Sequence, residues 1–156
     1  MKYKYLKHTA DLKVRAFGKT LEEAFANAAI GGFDFLTPTS NIKKRIEKNI
    51  SVSAKRVESL LYDFIEELLF LLDTEGFMIS EFKDMRIKED KEEGDGDGDK
   101  SFSLQCIALG DHYKNYEVKG DIKAITYSEM SIRKEKDKGG KDKGKDVFVV
   151  EAVFDI

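Results

Sequence analysis

At 156 residues with 41% hydrophobic side chains, the chain is long enough to bury roughly two-thirds of its unfolded-chain surface in one domain. A net charge of -3 is too small to indicate a charged partner by itself, and a single cysteine, Cys106, excludes an intrachain disulfide and any Cys-rich zinc site. The apolar run Leu68–Leu72 is too short to span a bilayer, and Lys7, His8 and Asp11 stand where a secretory signal would need its apolar stretch. A reducing cytoplasm, with no membrane partner, is the expected setting.

Two strands are expected first, over about 3–6 and 12–17, with His8-Thr9-Ala10-Asp11 connecting them and Gly18 ending the second. Thr20 followed three residues later by Glu23 is a capping box, and Leu21, Ala24, Phe25, Ala28 and Ala29 recur at helical spacing. The first helix therefore starts here, with small residues that permit close packing. After a turn region carrying the only proline, Pro38, the alternation of Ile46, Lys48, Ile50 and Val52 predicts a third strand. Val57, Leu60, Leu61, Phe64, Ile65, Leu68, Leu69 and Leu72 then keep one apolar face for about four helical turns, and Gly76 stops them.

Beyond that helix, 81–88 and 101–109 read as strands, with Phe102, Leu104, Cys106 and Ala108 on one face of the second. Cys106 in that alternation is expected to act as a small buried hydrophobe. A last hairpin pairs 125–132 with 147–154. Two polar segments, about 89–100 and 133–146, have no apolar anchor and are expected to be mobile charged loops on a single domain spanning 1–156. Runs of strands with two packed helices, without regular alternation, indicate an α+β fold with antiparallel or mixed sheets and two principal helices.

Two motif matches inside those loops fail on their chemistry. Asp95, Asp97 and Asp99 have the spacing of a calcium loop, but Lys100 stands where glycine is needed and Cys106 where a bidentate glutamate is needed. Gly139 with Gly144-Lys145 fits part of a phosphate-binding loop, but Asp146 would repel phosphate and a strand follows in place of a helix. The second loop carries seven basic residues against four acidic ones, so RNA contact, if any, is weak or indirect.

Chemistry is concentrated at the two ends. Hydrophobic strands flank both Asp11 and the final pair Asp155-Ile156, so one sheet end can gather two carboxylate side chains and the Ile156 terminal carboxylate, a set of oxygens suited to a hard cation. Each has a bland alternative: an Asp in a turn bonds its own backbone, and chain ends fray. The wider pattern runs His8-Thr9-Ala10-Asp11, then Gly18-Lys19-Thr20-Leu21-Glu22-Glu23-Ala24-Phe25, then Val118-Lys119-Gly120-Asp121-Ile122-Lys123-Ala124-Ile125-Thr126-Tyr127, then Asp155-Ile156. It resembles the archease family, small proteins that activate the RtcB-type tRNA-splicing RNA ligase. The resemblance covers nearly the whole chain in order, apart from the charged loops.

That resemblance implies that Asp11, Asp155 and the carboxylate of Ile156 ligate a divalent ion. Hard oxygen donors favour Ca2+, with Mg2+ or Mn2+ as alternatives, and Ca2+ tolerates an irregular site. His8 is either a further ligand or an orienting group behind Asp11. Lys123 is either a solvated lysine or, as in the family, a residue that helps activate the ligase by attracting a nucleotide phosphate or a ligase carboxylate. Ser128 stands where many relatives carry His, so a role needing an imidazole there is not expected.

The implied function is that of a non-enzymatic accessory protein that promotes guanylylation of the ligase with GTP and a divalent ion and allows multiple turnovers in tRNA exon joining. Two rivals differ in class: a chaperone of a tRNA methyltransferase, and a metal-dependent phosphoesterase using the same carboxylates to activate water. No Ser-His-Asp set or activated cysteine supports acyl transfer or thiol chemistry.

Overall fold

In the computed structural model residues 1–8, 10–91 and 100–156 are described. They form β1 (Tyr3–Leu6), β2 (Asp11–Gly18), α1 (Leu21–Asp34), β3 (Ile46–Ala54), α2 (Val57–Glu75), β4 (Phe77–Lys91), β5 (Lys100–His112), β6 (Ala124–Lys136) and β7 (Asp146–Asp155). One sheet has the order β1-β2-β7-β6 and the other β3-β5-β4, and every strand pair is antiparallel. This is the expected α+β architecture, with no parallel pairing among the described strands.

Both helices are placed by their capping residues and apolar faces. The Thr20 side chain accepts a hydrogen bond from the Glu23 backbone N–H at 3.1 Å, closing the first turn of α1. Gly76 ends α2 in the left-handed region, φ 68°, and its N–H donates to the Leu72 carbonyl at 3.0 Å. Leu60, Leu61, Phe64, Ile65 and Leu68 of α2 are fully buried against a core that also takes Val14 and Ala16 of β2, Phe25 and Phe33 of α1, Leu104 and Ala108 of β5, and Val150, Ala152 and Phe154 of β7. No described helix is long and apolar enough to cross a membrane.

α1 lies close on the four-stranded sheet because its small residues let it. A Cβ on Gly32 would fall 2.6 Å from the Phe154 ring, and one on Gly31 would fall 2.7 Å from a Val14 methyl carbon. Phe154 is the last core residue before Asp155, so this packing anchors the C-terminal end of β7.

Three boundaries differ from expectation. β4 begins at Phe77, directly after Gly76, and Phe77 to Ser80 are all buried; a strand covered on both faces shows no alternation and is hidden from a period-two reading. The first charged segment is shorter than the expected 89–100: the ladder runs to Lys91↔Lys100, and Asp95, Asp97 and Asp99 lie outside the described residues. The second is not a free loop over 133–146, since β6 and β7 stay paired to Lys136↔Asp146. Its tip is a closed turn, with Asp137 N–H donating to Lys145 O and Gly144 N–H to Asp137 O, both at 2.8 Å. A two-stranded ribbon satisfies its backbone without burying side chains, so charge content alone does not end a strand. The Gly139 to Lys145 stretch is this hairpin tip, followed by a strand as expected.

Candidate functional site

Alternation along β2 sends Leu12, Val14 and Ala16 into the core and Asp11, Lys13 and Arg15 to the opposite face. Antiparallel pairing sets Asp11 opposite Asp155, and on the other side of β7 Ala124 opposite Asp155. Residues paired directly across strands project to the same face with Cβ atoms roughly 5 Å apart. The two aspartates, one the last residue of the His8–Asp11 connection and the other 144 positions later, thus become neighbours at one sheet rim. The backbone of Lys123 joins them, its N–H donating to the Asp155 carbonyl at 2.7 Å. Its side chain is exposed, and Ile156 continues past the strand, 38% exposed.

The rim therefore gathers Asp11, Asp155, Ile156 and Lys123. Two like charges on neighbouring strands repel, though solvent screens them at this partly exposed position. A cation relieves that repulsion, and the donors on offer are hard oxygens. Among the described residues, no three His, Cys, Asp or Glu side chains lie close enough together to hold an ion. Asp11 and Asp155 by themselves are therefore an incomplete donor set for an ion.

His8 stands behind Asp11. Its Nε2 is 2.6 Å from Oε2 of Glu129, while its Nδ1 faces Oδ2 of Asp11 at 3.5 Å. That Nδ1 atom is buried and has no hydrogen-bond partner among the described residues. The main chain is strained on both sides of this contact: Ala10 has φ 67° and Glu129 φ 56°. Each non-glycine residue in the left-handed region costs roughly 1–2 kcal/mol. Glu129 lies in a register shift of β6 between Thr126 and Ser131.

Two rows further along the same face is an ion cluster centred on Glu151, which is only 8% exposed. Arg15 Nε donates to its Oε1 at 2.6 Å, Arg133 reaches it at 3.3 Å, and Lys13 Nζ lies 3.7 Å away. Burial works to raise the Glu151 carboxyl, but the hydrogen bonds and charges of Arg15 and Arg133 outweigh it and hold the group below its ordinary value. Lys13 is also 3.8 Å from Glu129, so the cluster connects to the His8 contact.

Sequence reading missed Glu129 and Glu151. A usable signal existed for Glu151, a lone charge between Val149-Val150 and Ala152-Val153 in a strand that shows no other polar interruption until its end. None existed for Glu129, whose partner is 121 positions away. Cys106 and the second histidine, His112, lie elsewhere. Cys106 is buried, which pushes its thiol up to about 12 and makes it a poor nucleophile. His112 ends β5, where Nδ1 accepts a hydrogen bond from the Lys114 N–H at 3.1 Å.

Comparison with known proteins gives matches along nearly the whole chain. A family model described as the archease protein family (MTH1598/TM1083) matches residues 3–156. The chain is 37% identical over 134 residues to protein archease of Pyrococcus furiosus, covering 85% of this chain and 88% of that one. It is 38% identical to protein archease of Thermococcus gammatolerans, covering 85% and 89%. Among solved structures it is similar to the solution structure of Methanobacterium thermoautotrophicum protein 1598, with a TM-score of 0.71, 27% identity and 99% of each chain covered.

Proposed function

The chain belongs to the archease family, and from that premise we propose that it is a cytoplasmic, non-enzymatic activator of an RtcB-type tRNA-splicing RNA ligase. In this role it promotes guanylylation of the ligase with GTP and a divalent ion, and sustains multiple turnovers in tRNA exon joining. The observation that supports the reading is the convergence of Asp11, Asp155 and Lys123 on one rim through the β2–β7 and β6–β7 registers.

Asp11, Asp155 and the carboxylate of Ile156 are the residues that would hold the ion, Ca2+ first, with Mg2+ or Mn2+ as alternatives. When bound, the ion supplies positive charge to which phosphate oxygens are drawn. Three carboxylates around a divalent ion leave one net negative charge, and the exposed Lys123 ammonium at the same rim offsets it. A near-neutral tip of this kind approaches a nucleotide-loaded ligase site without the repulsion that bare carboxylates would meet. The β2, β6 and β7 ladder keeps Asp11, Asp155 and the Lys123 backbone in place, and Phe154 packed on Gly32 keeps the end of β7 from fraying.

The test is GTP-dependent guanylylation of the cognate ligase with and without this protein. Stimulation by the native chain that is lost in Asp11→Ala and in a chain extended by a few residues past Ile156 supports the activator reading and the terminal ligand together. Equal stimulation by the extended chain removes Ile156 from the ligand set. Absence of stimulation by the native chain overturns the activator reading.

A further inference from the structure

We propose that Glu129 is a positioning residue for the ion site, acting through His8 to fix the carboxylate of Asp11. The inference rests on the reading of Asp11 as an ion ligand.

An ionised carboxylate only accepts hydrogen bonds, so at 2.6 Å the proton between Glu129 and His8 is carried by Nε2 as donor. That bond fixes both the tautomer and the plane of the ring. The other edge of the ring then stands against Asp11, with Nδ1 3.5 Å from Oδ2. The buried Nδ1 finds no hydrogen-bond partner among the described residues. A ring placed to satisfy its own polar atoms would not be left this way. With the proton on Nε2, Nδ1 turns a lone pair toward Oδ2, so the ring edge makes no hydrogen bond to Asp11 and limits the swing of its carboxylate by contact and lone-pair repulsion alone.

Glu129 is delivered there by local backbone geometry. On β6 four residues, Tyr127 to Met130, stand opposite the single Ala152 of β7, because pairing resumes only at Ser131↔Glu151. Such irregularities re-aim side chains. Glu129 itself takes φ 56°, a conformation that costs stability for a residue with a side chain. The Lys13 ammonium, 3.8 Å from the same carboxylate oxygen, holds Glu129 from the other side. Ala10, at φ 67°, shapes the connection that carries His8 to this contact. Two of the three non-glycine residues with positive φ among the described ones thus serve one contact, and that contact ends on Asp11.

The same stretch also carries Lys123 and Tyr127, so the clamp ties the start of β6 to the ion-binding rim. Outer groups commonly orient metal ligands through hydrogen bonds; here the histidine, held by a second carboxylate, acts on Asp11 by packing.

The experiment is calorimetric titration of Ca2+ and of Mn2+ into the wild type, Glu129→Ala and Glu129→Gln, with nitrogen-15 NMR of the His8 ring. Glu129→Ala is expected to weaken binding about 10-fold and to turn a single Nε2–H tautomer into a mixture. Glu129→Gln, whose amide oxygen still accepts from Nε2, should stay close to wild type on both readouts. Unchanged affinity in Glu129→Ala overturns the inference while leaving the ion site standing. A His8 nitrogen coupling in the pulsed paramagnetic resonance spectrum of the Mn2+-loaded protein makes His8 a ligand and likewise overturns it. Failure of the wild type to take up either ion overturns the ion-site reading and this inference with it.

Discussion

Glu151 offers the clearest test of how the functional face is held together. Glu151→Gln keeps the volume and one acceptor oxygen but removes the charge that Arg15, Arg133 and Lys13 share. Breaking a fully buried ion pair costs roughly 3–5 kcal/mol, and an exposed pair contributes about 0–1 kcal/mol. Here the carboxylate is nearly buried while its three cations keep 15%, 31% and 35% of their side-chain surface exposed and can turn toward water. The expected loss is therefore about 2 kcal/mol at pH 7, intermediate between those limits. The pH dependence follows from the direction of the shift. The folded carboxyl lies below its ordinary value, so its stabilisation is fully present above the unfolded value, about 4.3, and is lost as pH falls through the lower folded value. Urea unfolding of both proteins should show a gap of about 2 kcal/mol at pH 7 that closes at the acid end, where protonated Glu and Gln are equivalent. A gap under about 0.5 kcal/mol at pH 7, or one that persists unchanged in acid, would refute the reasoning.

Two further outcomes are expected. Ca2+ at about 100 times its dissociation constant should stabilise the fold by roughly 2.7 kcal/mol, raising Tm by about 5–10 °C in a thermal scan, and Asp155→Asn should lose most of that shift. Gly32→Ala should destabilise by about 1–2 kcal/mol despite the better helix propensity of alanine, because its Cβ would press on the Phe154 ring; denaturant unfolding measures the loss, and a neutral or stabilising result would mean that β7 is not anchored there.

How much could be read in advance follows from the range of each interaction. α2 was legible because its apolar face is written within the helix itself, and so was the start of α1, because the Thr20 side chain caps the Glu23 N–H only three residues away. β5 was legible from Leu104, Cys106 and Ala108, since over that stretch burial alternates with more exposed Gln105 and Ile107. The start of β4 was not, because Phe77 to Ser80 are buried throughout, nor was the full length of β6, because its outer ladder depends on β7 and not on apolar side chains.

The candidate site divides in the same way. Asp11, Asp155, Ile156, Lys123 and His8 stood out by residue type and by family pattern, and their chemistry as hard donors and charges is intrinsic to the side chains. That Asp11 faces Asp155, that Lys123 bonds to the backbone behind it, and that Glu129 and Glu151 belong to the same face were decided only by the tertiary structure. Local sequence specifies which face of a strand a residue occupies; which distant residue meets it there depends on register, and register is set by the packing of the whole sheet against α1 and α2.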